Sequence, residues 1–305
     1  MNHEFFAEYA GKWEGHEDKD LGIQVALLCE GILDNKRRAQ ERLKEWILDK
    51  KLDTFFGKRK ETFSNLMSYR LPDLKGFPPG SFTLQFTFYL NNPYIGTDDG
   101  IYILDNPVKK EKIFKIPYIA PSQWKGVLRS VIRQMKGFKT WEDEKEDEQI
   151  IRIFGNIKGE EKNENLRQGS IHIYPTYFDQ ISLEVINPHE RRTGTGKNPI
   201  YLESVPIDAD GVFSLLYFPF WTEGEKDVYR KAAADLQIMA QGIREMMTVY
   251  GFGAKVSSGF GRAERIEGGK LSIKVATHVE EVFESFEELE KKVKEIMITM
   301  GGIHE

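Results

Sequence analysis

The sequence predicts an α+β fold with long polar loops between its regular elements. Three observations carry this. Residues 81–90, SFTLQFTFYL, alternate Phe82, Leu84, Phe86 and Phe88 with Thr83, Gln85, Thr87 and Tyr89, the period of a half-buried strand. Two stretches keep a helical period, one from Ser122 to about Met135 on Val127, Val131, Ile132 and Met135, the other over residues 226–250. The order from residue 81 is strand, helix, strands, helix, strand. That order is compatible with a ferredoxin-like sheet carrying insertions, although periodicity alone does not select it.

The elements follow in order. Residues 21–33 and 36–52 have apolar residues at helical spacing, and residues 60–69 form a third candidate helix. Pro72, Gly76, Pro78, Pro79 and Gly80 break the pattern, so residues 1–80 read as a helical N-terminal appendage and 81–305 as the core. Asn91-Asn92-Pro93 ends the first strand, residues 96–100 form a polar turn, and residues 101–104 suit a short strand. The helix near Ser122 has Pro121 where a missing N–H costs little. Residues 139–149 read as an exposed acidic loop and 155–168 as a flexible linker. Residues 169–177 and 181–186 are strand-like. Residues 203–220 are strand-rich with a turn at Asp210-Gly211. A glycine-rich stretch, GFGAKVSSGFGR, fills 251–262. A strand to about Val275 and an amphipathic helix over 286–300 complete the chain.

Composition narrows the function. The 305 residues allow one large domain or two small ones. A lone cysteine, Cys29, excludes a disulfide framework and a cysteine zinc site. No apolar run spans a bilayer, and the first twenty residues, with their acids and aromatics, do not read as a signal peptide, so a cytoplasmic protein with no membrane partner is expected. The net charge of -5 argues against a general nucleic-acid coat, but local basic grooves remain open to it.

Several constellations could carry chemistry. Asp105, before Asn106-Pro107, is either a turn former or a carboxylate that handles a proton or a metal. Lys109 and Lys110 follow it. Lys125 and Arg129 share a helix face at i, i+4 near the positive end of the helix dipole, beside Trp124, which is either a contact or a core residue. Arg191, Arg192 and Lys197 lie among Gly and Thr in a long loop that suits phosphate, with His189 a candidate base. Gly253, Lys255, Gly259, Gly261 and Arg262 lie in the glycine-rich stretch. It suits either a phosphodiester approaching backbone N–H groups or a tight helix end. Phe252 and Phe260 either stack on bases or pack below. The stretch is neither a P-loop nor a dinucleotide fingerprint, because it runs from helix to strand.

Taken in order, these motifs resemble the RAMP superfamily of CRISPR-associated proteins, near the form of type III effector backbone subunits. The residues are the Asp105-Asn106-Pro107-Val108 turn, Ile116-Pro117-Tyr118-Ile119, and Ser122-x-x-Lys125-Gly126-x-x-Arg129-Ser130. Ile153-Phe154-Gly155, the Arg191-Arg192 loop leading to Glu203-Ser204-Val205-Pro206, and Gly253-x-Lys255 through Gly259-x-Gly261-Arg262 complete the set. The resemblance covers about residues 81–275. It implies a ferredoxin-like (RRM-like) core, CRISPR RNA and target RNA as partners, and other RAMP-type effector subunits beside it. It also implies that Asp105 falls on the position of a catalytic aspartate that cleaves target RNA with a divalent metal, Mg or Mn. Lys125, Arg129, Lys255 and Arg262 fall on positions expected to face the guide backbone. The chain departs from the family at Tyr94-Ile95-Gly96, at Ala120-Pro121-Ser122-Gln123-Trp124-Lys125-Gly126, and in its N-terminal appendage. Those departures leave three readings: a guide-dependent ribonuclease subunit, a non-catalytic capping or spacing RAMP subunit, and a stand-alone endonuclease that processes CRISPR repeat RNA.

Overall fold

In a computed structural model, the described residues are 70–96, 108–111, 116–156, 167–186, 199–220, 225–275 and 278–302, with six more between 41 and 49. The chain divides into two compact units. One comprises Ser68–Asn92, Ile119–Thr176 and Asp210–Glu305, and the other takes in Pro93–Tyr118 and Tyr177–Ala209.

The first unit is built on strand β1 (Phe82–Tyr89). Its alternation is realised: Phe82, Leu84, Phe86 and Phe88 are all buried. Each such side chain contributes about 1.5–3 kcal/mol on burial. Helix α1 (Pro121–Met135), α2 (Trp141–Lys145) and α3 (Glu148–Phe154) follow, then strand β2 (Ile171–Ile173). The hairpin strands β3 (Ser182–Ile186) and β4 (Ile200–Ser204) belong to the other unit. Strand β5 (Asp210–Tyr217), helix α4 (Glu225–Glu245), strand β6 (Arg265–Lys274), strand β7 (His278–Phe283) and helix α5 (Phe286–Gly302) finish the first.

The five-stranded sheet has the order β2-β5-β1-β6-β7. Every neighbouring pair is antiparallel, with Phe82 opposite Tyr217 and Ile273, and Ile171 opposite Tyr217. So β1 and β2 run parallel with β5 between them, and β5 and β6 run parallel with β1 between them. These are two split βαβ units crossed by α1 and α4, the ferredoxin-like topology, with β7 added at one edge. The fold is α+β, as the order of elements predicts.

The helical side holds two buried charge clusters. Arg152 of α3 donates to both Asp235 oxygens at 2.7 and 2.5 Å, and the Tyr217 hydroxyl donates to Asp235 at 2.6 Å. Burial pushes the Asp235 carboxyl up, and its bonds from Arg152, Tyr217 and Gln149 pull the other way. Burial and Asp235 hold the Tyr217 phenol well above its ordinary value. The second cluster is Glu144, 1% exposed, which accepts from Arg129 and has Arg133 at 3.8 Å.

Two expectations are corrected. Residues 139–149 are not an exposed loop. Thr140 and Asp143 form a capping box that starts α2, and Asp147 caps α3. Asp210 and Gly211 are not a turn but the start of β5, and the turn falls at Ile207 and Asp208, where Asp208 has φ 66°. Strand β7 has no counterpart in the periodicity. Of the helix expected over residues 36–52, Glu41, Lys44, Glu45, Ile47 and Leu48 are described and helical. Residues 21–33 and 60–69 lie outside the described residues.

Candidate nucleic-acid interface

The first turn of α1 and the glycine-rich loop meet through aromatic packing. Trp124 is fully buried, with its indole N–H on Thr176 Oγ1 at 3.0 Å. Its ring lies 4.7 Å from Phe252 and 6.0 Å from Phe88. Trp124 is therefore the core side chain of its two readings. Phe252 also packs below the loop rather than facing solvent. Together they pack the first turn of α1, to which Lys125 belongs, against Phe252 of the loop.

The loop owes its shape to backbone crossings. Helix α4 ends in a π-helical turn, Met246–Tyr250. There Gly251 N–H bonds to Met246 O at 3.0 Å, and Met247 O accepts from Ala263 N–H at 2.9 Å. The wider turn thus ties the loop's exit to the helix that feeds it. Phe252 N–H bonds to Gly261 O at 2.8 Å. A Cβ on Gly261, at φ 67°, would lie 1.9 Å from Phe252 O, so only glycine fits. Gly253 and Gly259 also have positive φ, and so does Lys255 at 57°, which opens a short 3₁₀ turn, Val256–Ser258. Lys255 is exposed at this tip. Arg262 is half-buried, and its Nε is buried with no hydrogen-bond partner among the described residues. Its carbonyl accepts from Asn91 N–H at 2.8 Å, which holds the residue against the end of β1.

The basic residues of α1 differ in their surroundings. Arg129 and Arg133 face Glu144, and Lys136 bonds to Asp147 at 2.7 Å. Lys125 has no ion pair or hydrogen bond from its ammonium among the described residues. Burial lowers its pKa, and Arg129 lowers it further. The helix begins at Pro121 with no side-chain cap and no acid in its first turn. The dipole end there favours an anion. A half-buried cation without a counter-ion, an uncapped helix start and a buried guanidinium nitrogen without a partner suit an anionic ligand chemically.

Other motif residues have structural work. Phe154 is buried under Arg129, 5.9 Å from its guanidinium. Gly155 crosses residues 167–169 so tightly that a Cβ on Gly169 would lie 2.3 Å from Phe154 C. In the second unit, Lys110 is 7% exposed and pairs with Glu203 at 2.5 Å. Glu203 also accepts from Val108 N–H at 3.0 Å. Lys109 is half-buried, and its carbonyl accepts from Tyr118 N–H at 3.0 Å. Val205 exchanges two backbone bonds with Tyr94, both 2.9 Å. Glu203 thus anchors the segment that follows Asp105 in sequence, and the Lys110 ammonium is turned to a carboxylate. Asp105, His189, Arg191, Arg192 and Lys197 lie outside the described residues, as does the hairpin tip between β3 and β4. Among the described residues, no group of three or more His, Cys, Asp or Glu side chains could hold a metal ion. No helix among them is long and apolar enough to cross a membrane.

Sequence reasoning missed Glu144, which takes Arg129 out of the free basic set. It also missed Glu203 as the partner of Lys110. Neither acid lies at helical spacing from its partner, and Glu203 is far along the chain from Lys110, so local spacing could not reveal them.

The fold and site define a ferredoxin-like domain with a glycine-rich loop closed against the start of its first helix. The family model described as the RAMP superfamily matches residues 87–264, and the chain belongs to that superfamily. None of the curated proteins matches. Among solved structures, the chain is similar to one from the crystal structure of a Csm3-Csm4 subcomplex of the type III-A CRISPR-Cas interference complex. The identity is 18% and the TM-score 0.43, over 70% of this chain and 95% of that one. It is also similar to a chain in the cryo-EM structure of a type III-B Cmr-beta complex bound to cognate target RNA. There the identity is 17% and the TM-score 0.45, over 87% of each chain.

Proposed function

We propose that this chain is a CRISPR RNA-binding subunit of a type III interference complex, working in the cytoplasm beside other RAMP-type subunits. Membership of the RAMP superfamily supports the reading. The observation that carries it is the contrast along α1: Arg129, Arg133 and Lys136 have carboxylates, and Lys125, in the turn that packs on the glycine-rich loop through Trp124, has none among the described residues. A backbone phosphate at that place would give Lys125 its counter-ion. The helix dipole would add to the field, and Arg262 and Lys255 would extend the contact along the strand. Such contacts hold the backbone and leave sequence to base pairing.

Cleavage of target RNA is a separable part of the proposal. It rests on Asp105 and the motif around it. The carboxylate would orient a divalent metal, Mg or Mn, or take the proton of the attacking hydroxyl.

Purification of the chain with its neighbouring subunits tests both parts. CRISPR RNA is expected to copurify, and Lys125→Met is expected to reduce it. Asp105→Ala is expected to abolish metal-dependent cleavage of guide-complementary RNA while guide retention persists. Retained cleavage would leave a non-catalytic subunit. Metal-free cutting of repeat RNA by the isolated chain would point to a processing endonuclease.

A further inference from the structure

The end of β4 holds both sides of the gap in the chain where Asp105 belongs. Residues 97–107 run between Gly96 and Val108. At the entry, Tyr94 exchanges two backbone bonds with Val205, both 2.9 Å. At the exit, Val108 N–H bonds to the Glu203 carboxylate at 3.0 Å. Glu203 and Val205 are two residues apart in sequence. Entry and exit also meet each other, since a Cβ on Gly96 would lie 3.2 Å from Lys109 N. Beyond the exit, Lys109 O accepts from Tyr118 N–H at 3.0 Å, and Glu111 N–H bonds to Ile116 O at 2.8 Å. All these residues belong to one compact unit.

Glu203 makes its bond to Val108 as a buried ion. It is 2% exposed, and Lys110 pairs with the same oxygen, Oε2, at 2.5 Å. Lys110 Nζ also lies 3.5 Å from Val108 O. One lysine and one carboxylate thus close on both polar groups of the Val108 backbone. Apolar residues of similar size would hold this core together about as well, because removing two charges from water offsets most of their attraction. An apolar pair offers no acceptor to the Val108 N–H, so it could not specify one position for that peptide. The ion pair therefore suits placement of the chain better than it suits stability. Asp105 precedes Val108 by three residues, at most about 11 Å of chain, so the position of Val108 limits where Asp105 can stand.

We propose that Glu203 is a positioning residue for the cleavage assigned above to Asp105. Through its bond to Val108, and with Lys110 as its counter-ion, it sets the point at which the Asp105 segment rejoins the folded unit. The proposal rests on that cleavage reading. Glu203 touches neither RNA nor metal in this role. A displacement of about 1 Å at a reacting group costs about 100-fold in rate, which sets the size of the effect.

The test uses the complex purified with its neighbouring subunits and guide. It compares two double variants that leave no buried charge unpaired. Lys110→Met with Glu203→Gln removes both charges and keeps a carbonyl oxygen for Val108 N–H. Lys110→Met with Glu203→Leu removes that acceptor as well. Single-turnover cleavage of guide-complementary RNA should be about 10- to 100-fold slower in the leucine variant, with target affinity and guide retention unchanged. The glutamine variant should recover the rate to within about 3-fold of wild type. A wild-type rate in the leucine variant, in a complex that Asp105→Ala inactivates, would overturn the proposal. Equal slowing in both variants would overturn it too, because the loss would follow the charges and not the Val108 bond. So would loss of guide together with cleavage in the leucine variant, which would mark a general structural role. Cleavage that survives Asp105→Ala would remove the cleavage reading, and the positioning role with it.

Discussion

Lys125 and Arg129 lie one turn apart on the same helix, yet their loss should change stability in opposite directions. Lys125 is half-buried with no carboxylate on its ammonium among the described residues, and Arg129 lies at i+4 with the same charge. Like charges at that spacing cost about 0.2–0.5 kcal/mol on a helix, and partial burial of the ammonium adds to this. Lys125→Met keeps the stem and removes the charge. It should stabilise the free protein by about 0.5–2 kcal/mol, within the range of a corrected functional-site compromise. At roughly 2–4 °C per kcal/mol for a domain of this size, Tm should rise by about 1–8 °C. Arg129→Met does the reverse. It strips Glu144, 1% exposed, of its closest partner and leaves Arg133 at 3.8 Å. Breaking a buried pair costs about 3–5 kcal/mol, and the remaining arginine places this one near 3 kcal/mol, a fall of about 6–12 °C. The assay is thermal unfolding of the two RNA-free variants beside wild type. A lower Tm for Lys125→Met, or equal shifts of one sign, would refute the claim that one cation is reserved for a ligand and the other is structural.

Three further outcomes are expected. Gly261→Ala forces a Cβ against Phe252 O and a residue at φ 67°, so urea unfolding should show a loss of at least about 3 kcal/mol. Gly259→Ala, at φ 89° with nothing within 4 Å, should lose only about 1–2 kcal/mol. Asp235→Asn removes the buried charge that half-buried Arg152 and the Tyr217 hydroxyl bond to, and should cost about 3 kcal/mol by chemical denaturation. Burial, and Lys125 after it, lower the His172 pKa in the fold, so the folded state takes up this proton at lower pH than the unfolded state does. The unfolded state thus binds the extra proton as pH falls through the unfolded value of about 6.5. Stability should decline from pH 7 towards pH 5, and His172→Gln should flatten that decline in pH-dependent unfolding curves.

The legible parts of the fold were those set by local periodicity and chain-breaking residues. Strand β1 alternates without a fault, and Pro121 marks the start of α1. The order of strands and helices was enough to allow the ferredoxin-like topology, but the sheet order depends on pairings such as Phe82 with Tyr217, which no local pattern contains. The acidic run at 139–149 concealed α2 because its charge suits a solvated loop, although Thr140 and Asp143, three apart, carry the capping box that starts the helix. Glu144 is buried only because Arg129 and Arg133 come to meet it. Strand β7 was hidden because Glu280 and Glu281 interrupt its two valines. In the site, the glycine spacing pointed to a constrained loop. The π-helical turn that closes it, and the fate of each cation, depend on contacts between segments far apart in sequence. Lys110 illustrates this: two residues away from Val108 in a basic run, it is spent on Glu203.

The salt dependence of RNA affinity tests the central claim most directly. Binding of a single-stranded RNA by wild type and by Lys125→Met should be followed from about 50 to 300 mM salt. Each phosphate contact on a single strand contributes a slope of about −0.7 in log K against log salt. The wild type should show at least about −1.4, for Lys125 and Arg262 together, and Lys125→Met should be shallower by about 0.7. A wild-type slope near zero, or an unchanged slope in the variant, would contradict an RNA backbone held at the start of α1.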